Sequence, residues 1–404
     1  MMQRGVLGAA SMGGQRRGVP QTDGATPGGR TGKIPRDPDA LTAEWLTEAL
    51  ASTGVLPHGR VTSHDIELLG GDKGMTGRIA RVRLGYDRAL VDAPRSVIAK
   101  FSASDPDARA RIHGMGFYER EARFYDHMAS RSRSRIRTPR CYFSALDSAE
   151  GLALLLLEDL ATARNGSWLA GCSVAEAEVA VHALAAFHAA WWQHPHLEDQ
   201  HWLELRSLVS VEQAPAIFEQ AWEPFLAMCG APVASDVLHI GAWLRHYLRP
   251  VYAYLYQEPP RTLVHNDFHA DNLFFANAGP SRTPIVVDWQ LVTRGRAVLD
   301  VAWFVAGHLE PHDRRSHEAH LLRSYHSLLV DGGVRDYSFE QCWDDYRLAL
   351  LPPASRIITV VGIGATTEAQ ARGFCDVILP RYCQAAHDLQ VGDLLRSVFG
   401  PRSP

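Results

Sequence analysis

Lysine is almost missing from this 404-residue chain. It occurs only at Lys33, Lys73 and Lys100, so the other 38 of its 41 cations are arginines. The 45 acidic residues outnumber the cations, for a net charge of −4. That balance excludes a polycation that coats nucleic acid. Long apolar runs are also lacking: none reaches the ~18 residues needed to span a bilayer. The six cysteines form no CxxC pair and no zinc spacing, so they read as buried free thiols of a reducing compartment. No h-region of signal-peptide length opens the chain. Large apolar side chains are scarce in residues 1–36, which predicts a disordered leader.

What remains divides in two. Leu41, Trp45, Leu46 and Leu50 recur at helical spacing behind a capping Thr42. Ala80, Val82 and Leu84 then alternate with Arg81, Arg83 and Gly85, the period of a half-buried strand. Ser96 to Phe101 predicts a further strand, 113–130 one helix, and Cys141–Ala145 and Leu152–Leu157 two more strands. After Asp159 the pattern turns helical. Ser173 and Glu176 form a capping box, and helices fit about 213–229, 236–257, 297–309, 313–330, 338–350 and 368–395. A strand–loop–strand stretch interrupts them at 262–288. The fold class expected is α+β and bilobal, a small antiparallel sheet with one main helix followed by a mainly helical lobe.

Four segments carry polar groups that chemistry can use. In LVHNDFHADNLFF (Leu263 to Phe275), Asp267 and Asn272 can converge on one pocket. A carboxylate there can orient a hydroxyl, and an amide oxygen can bind a hard cation. PIVVDWQ delivers Asp288 to a strand end, which with Asn272 makes a two-oxygen site suited to magnesium. Lys100 ends an apolar strand, where a cation needs a partner; Glu121 is the candidate, with Glu119 as its rival. GGDKGMTG (Gly70 to Gly77) allows close backbone approach to phosphates, and equally fits a plain hairpin turn. His269 and Asp271 are expected to face solvent or to support the loop. Most of the tryptophans read as core. Asp344 and Asp345 read as a solvated helix face, with a cationic acceptor as the alternative. The arginine run from Arg131 to Arg140 reads as a solvated loop rather than a nucleic-acid surface.

In this order the segments resemble the aminoglycoside phosphotransferase and choline/ecdysteroid kinase-like group, over residues 60–395. His265-Asn266-Asp267 through Asn272 is similar to that group's catalytic loop, and Asp288-Trp289-Gln290 stands where protein kinases carry Asp-Phe-Gly. The resemblance implies a protein-kinase-like fold with a nucleotide-binding lobe at 37–158 and a lobe at 159–404 bearing the catalytic loop and acceptor site. It implies ATP as co-substrate, magnesium as cofactor and a small-molecule hydroxyl, of a metabolite or an antibiotic, as acceptor, in the cytoplasm and without nucleic acid or membrane. Asp267 would be the base, Asn272 and Asp288 the metal ligands, and Lys100, held by Glu121, the phosphate-binding cation. Thr76 would cap a phosphate, and the backbones of Glu158 and Leu160 would meet the adenine edge. His265 and Asp300 would brace the loop. The alternative is a nucleotide-binding pseudokinase scaffold without catalysis. Only eleven residues separate Asp288 from Asp300, too few for a peptide-docking platform.

Overall fold

A computed structural model of the chain describes residues 33–69, 77–88, 93–132, 135–206, 210–229, 234–276 and 283–401. Most of the 1–36 leader and the loop holding Thr76 lie outside the described residues, as does Arg133 of the arginine run.

Alternation of apolar and polar residues shapes the first part. Thr42 accepts the Trp45 N–H at 3.1 Å and starts α1 (Ala43–Ser52). Five strands follow: β1 (Val61–Leu69), β2 (Gly77–Tyr86), β3 (Ser96–Ser102), β4 (Cys141–Asp147) and β5 (Leu152–Glu158). They form one antiparallel sheet in the order β1-β2-β3-β5-β4. Trp45, Leu46 and Leu50 cover one face, against Val82, Val97, Ala99, Phe143 and Leu156. Each such side chain contributes about 1.5–3 kcal/mol by leaving water. The strand period of two then dictates that Ile98 and Lys100 point to the opposite face. Gly77 starts β2 because a Cβ there would lie 2.0 Å from the Phe101 carbonyl oxygen.

The single helix expected over 113–130 is instead broken. α2 (Pro106–Gly114) stops before Gly116, whose φ of +76° is a left-handed conformation that glycine adopts without strain. α3 (Phe117–Arg123) then runs through a wide turn, Phe124–Met128, into α4 (Ala129–Ser132).

The second part is helical around a large apolar core. After β6 (Ala163–Asn165), α5 (Val174–Trp191) begins at the Ser173–Glu176 capping box. α6 (Ala214–Cys229) and α7 (Ser235–Tyr256) lead to β7 (Thr262–Val264), β8 (Leu273–Ala276), β9 (Ile285–Val286) and β10 (Thr293–Gly295). β8 pairs with β6 and β9, and β7 pairs with β10. Then come α8 (Val298–His308), α9 (Pro311–Asp331), α10 (Phe339–Leu348), α11 (Leu351–Gly362), α12 (Glu368–Gly373), α13 (Leu379–Asp388) and α14 (Val391–Phe399).

Four expectations change here. The 368–395 helix is divided by a wide turn at Phe374–Ile378 and by Gln390, at φ +52°. α11 was not among the expected helices; Pro352 and Pro353 occupy its first turn, where no intrahelical N–H is needed. Asp345 is neither solvated nor open to an acceptor. It is fully buried, with Arg296 at 2.8 Å and the hydroxyls of Tyr254 and Tyr337 at 2.7 and 2.9 Å. Of the cysteines only Cys342 and Cys383 are buried; the other four are half-buried thiols. Among the described residues no helix is long and apolar enough to cross a membrane.

Candidate active site

The loop between β7 and β8 is held by buried acceptors. Asp300, in the first turn of α8, accepts the backbone N–H groups of His265 and Asn266, each at 2.7 Å. Its Oδ2 also meets His188 Nε2 at 3.1 Å, and that imidazole is fixed by Tyr325 Oη at 2.7 Å. His265 Nε2 reaches the Val287 carbonyl at 2.9 Å, so the loop is laced to β9. Val287 in turn donates its N–H to the Asn272 carbonyl at 3.0 Å, which sets Asn272 beside Asp288. Asn266 and Asp288 sit at φ +63° and +64°. Both backbones are left-handed, a conformation that non-glycine residues hold only where the surrounding bonds fix it.

The turn after Asp288 is pinned by aromatic packing. Trp289 is buried and stacks on Phe124 with centroids 3.9 Å apart. It meets the His265 ring edge-on at 4.6 Å and donates its indole N–H to Val286. Arg120, buried on α3, donates to the carbonyls of Gln290, Glu204 and Met115 and so ties that helix to the same turn.

Lys100 lies between two carboxylates. Its Nζ is 2.7 Å from Glu121 Oε2 and 2.6 Å from Asp288 Oδ1. Glu119 pairs with Arg123 instead. Burial disfavours the ammonium, but Asp288 and Glu121 outweigh it and hold its pKa above the ordinary lysine value. Burial pushes the Glu121 carboxyl up, and the Asp288 charge pushes the same way against Lys100. Gln290 Nε2 donates to the second oxygen of Asp288 at 3.2 Å.

Asp267 stands at the loop's tip. Asn272 Nδ2 donates to the Asp267 carbonyl at 3.0 Å, and an amide donating from nitrogen keeps its oxygen for a cation. The Asp267 carboxylate has His269 Nε2 3.5 Å from Oδ2 and Arg356 3.4 Å from Oδ1. Burial favours its neutral form, yet His269 and Arg356 prevail and hold the pKa at about 2. The His269 ring stacks on Trp168 at 4.4 Å, and Asp271 accepts the Trp168 backbone N–H at 2.7 Å.

A cavity of about 550 Å³ opens beside these groups, within the range of small-molecule sites. Lys100, Glu121, Asn272 and Asp288 line it. Leu69, Ile79, Ile98, Leu157 and Phe274 add apolar walls suited to a flat ring, and Arg81, Asp159 and Asp271 also reach the lining. Glu158 and Leu160 lie on the lining as well. The Glu158 N–H is given to the Arg140 carbonyl at 2.8 Å, and the Leu160 carbonyl accepts the Ala163 N–H at 2.9 Å. Asp159 is held by Arg81 at 2.8 Å and Ser96 at 2.7 Å, which fastens the junction between the two parts. Asp267 does not line this cavity; Asn272 connects it to the others. Thr76 is outside the described residues.

Arg356, His269, Arg120 and Gln290 went unsingled in the chain as direct partners of these groups. Gln290 lies two residues after Asp288 and His269 two after Asp267, so both carried a local signal; Arg120 and Arg356 meet the site from helices distant in sequence.

The curated proteins contain no match to this sequence. Among solved structures, a Ralstonia eutropha protein assigned as an aminoglycoside phosphotransferase superposes with a TM-score of 0.50 at 18% identity, over 85% of this chain and 98% of that one. A microcompartment-associated aminopropanol kinase gives 0.48 at 14% identity, over 87% and 98%. Choline kinase from Cryptosporidium parvum gives 0.48 at 12%, over 83% and 90%. The bilobal kinase-like fold is thereby shared with the first of these. The ecdysteroid kinase-like family model matches residues 71–335, about two thirds of the length, and the chain belongs to that family of small-molecule kinase-like proteins.

Proposed function

We propose that this protein moves the γ-phosphoryl group of ATP to a hydroxyl of a small metabolite or antibiotic, in the cytoplasm. One observation carries the reading: Lys100, Glu121, Asn272 and Asp288 line one cavity together with the apolar Leu69, Ile79, Ile98, Leu157 and Phe274, with Asp267 tied to Asn272 alongside. The part at 37–158 would then bind nucleotide, and the part at 159–404 would present the acceptor.

Charge explains the arrangement. A triphosphate brought to this site meets the carboxylates of Asp288 and Asp267, so like charges would repel. Asn272 and Asp288 offer a hard amide oxygen and a carboxylate, a donor set that fits magnesium. Bound there, magnesium would offset phosphate charge. Lys100 would turn from Asp288 toward the phosphates while Glu121 keeps it in place. The apolar walls would hold the adenine, with the Glu158 carbonyl and Leu160 at its edge and Thr76 near a phosphate. Asp267 would orient the acceptor hydroxyl and take its proton as the oxygen attacks the γ-phosphorus in line with the departing ADP. The transferring group is metaphosphate-like, so positioning and charge supply most of the acceleration.

The test is to incubate the protein with ATP, magnesium and a panel of alcohols, including aminoglycosides, amino alcohols and sterols, and to follow ADP and phosphorylated product. Product formed with one acceptor class and lost in Asp267→Asn supports the reading. Tight ADP binding with no transfer to any hydroxyl overturns it in favour of a scaffold.

A further inference from the structure

α11 is buried along nearly its whole length, from Leu351 to Val361, and one arginine sits in the middle of it. Arg356 has a side chain only 7% exposed. A guanidinium in such a place needs an anion and acceptors. Its NH1 donates to the Asn266 carbonyl at 2.6 Å and lies 3.4 Å from Asp267 Oδ1; its NH2 donates to Asn266 Oδ1 at 3.2 Å. Its face lies over the Trp303 ring, 4.9 Å from the centroid. Nε is buried with no partner, so the fold leaves one donor unsatisfied while aiming the other two nitrogens at the loop tip.

The mounting is stiff. α11 presses on α6 so closely that a Cβ at Gly362 would lie 2.1 Å from the Ala221 carbonyl oxygen. From this mount the guanidinium grips both the carbonyl and the side chain of Asn266, the residue held at φ +63° immediately before Asp267. The same group touches one oxygen of the Asp267 carboxylate, leaving the other on the His269 side.

We propose that Arg356 is a positioning residue for phosphoryl transfer: it fixes the backbone ahead of Asp267 and one carboxylate oxygen, so that the remaining oxygen is presented to the acceptor hydroxyl. This rests on the reading of Asp267 as the base. Arg356 touches neither nucleotide nor acceptor in this role. Its removal acts on kcat and spares nucleotide affinity.

The experiment compares Arg356→Met, Arg356→Lys, Asp267→Asn and the double variant Asp267→Asn/Arg356→Met. Turnover is read as ADP release from MgATP with the best acceptor of the panel or, failing one, with water. Mg²⁺–ADP binding is read by calorimetry, and folding by circular dichroism. The expected result is a fall in kcat of about 10–100-fold for Arg356→Met, an ADP dissociation constant within about twofold of the parent, and partial recovery in Arg356→Lys, which keeps the charge but not the fork. The double variant should lose no more than Asp267→Asn alone, because one residue acts through the other. Equal kcat in Arg356→Met and parent overturns the inference while leaving the function standing. So does a double variant whose losses multiply, or a loss in Arg356→Met matched by weaker ADP binding; both mark a general structural role. Parent turnover unaffected by Asp267→Asn removes the base, and with it any role for Arg356 through that base. A parent that turns over no ATP removes both.

Discussion

Two buried charge clusters in this molecule are built to opposite plans. Around Arg296 and Asp345 every charge is met: the pair is 3% and 0% exposed, and two tyrosine hydroxyls complete the carboxylate. The guanidinium also donates to the carbonyls of Tyr254 and Pro259 and lies 3.8 Å from the centroid of the Tyr254 ring. Around Lys100 the charges do not balance. One ammonium faces two carboxylates, and the Asp288 side chain remains 27% exposed to the cavity. A cluster that closes on itself holds helices together. A cluster left with surplus negative charge at a cavity wall is the one the proposed function assigns to a cation and, through it, to phosphate.

This contrast can be broken by substitution, because the open cluster should govern turnover and the closed one stability. The largest effect is expected from Asp288→Ala, a loss of about 10³–10⁴ in magnesium-dependent ADP release. Its urea midpoint should stay level or rise, since Lys100 keeps Glu121. A midpoint that falls with unchanged turnover would make Asp288 a structural residue like Asp345. Arg296→Met comes next: it strands Asp345 and should cost about 3–5 kcal/mol in urea unfolding. Calorimetric affinity for Mg²⁺–ADP should not move, and a tenfold weakening would merge the two clusters into one. Lys100→Met should lower kcat/KM for ATP by about 10². If ATP turnover in that variant equals the parent's, the open cluster is not a phosphate site.

The smallest effect concerns a group that avoids the problem of charge by having none. His308 Nε2 accepts the Ala270 N–H at 2.9 Å and Nδ1 faces the Phe304 carbonyl at 2.9 Å, so a second proton breaks the first bond. Burial, reinforced by nearby His269, pushes its pKa down to about 3. Above about pH 6.5 both folded and unfolded chains carry it neutral, and it does not tilt the balance. Below that the unfolded chain takes the proton first, so stability falls as pH drops toward 3, by roughly 1.4 kcal/mol per pH unit from this group. The slope between pH 6.5 and 5 in urea melts should flatten in His308→Gln; equal slopes would show that His308 does not set it.

Legibility in the chain followed the range of the physics. The strands around Ala80–Leu84 and Ser96–Phe101 formed where they were expected, and Thr42 and the Ser173–Glu176 box began their helices as expected. Asp267 and Asn272 share a short loop, where the Asn272 amide bonds the Asp267 backbone carbonyl, but only Asn272 lines the cavity on which both were expected to converge. Helix breaks read poorly: Gly116 and Gln390 interrupt patterns that stay apolar-periodic on either side. α11 was missed although Leu351, Ala354, Ile357, Ile358 and Val361 recur at helical spacing; Pro352 and Pro353 stand in its first turn. Its arginine within an apolar run, SRII, was the one available signal for Arg356.

Backbone periods, caps and the order of polar motifs are short-range properties, and from them came the sheet, most helices and the choice of Lys100, Glu121, Asn272 and Asp288, which line one cavity. Which anion each cation meets is a long-range matter. Lys100 and Asp288 are 188 residues apart, Arg356 and Asp267 are 89, and Arg296 and Asp345 are 49. Coulomb energy depends on distance and burial in space, neither of which a linear pattern carries. Packing therefore decided that Asp345 is sealed, that Asp288 is open, and that Asp267 has an arginine at its side.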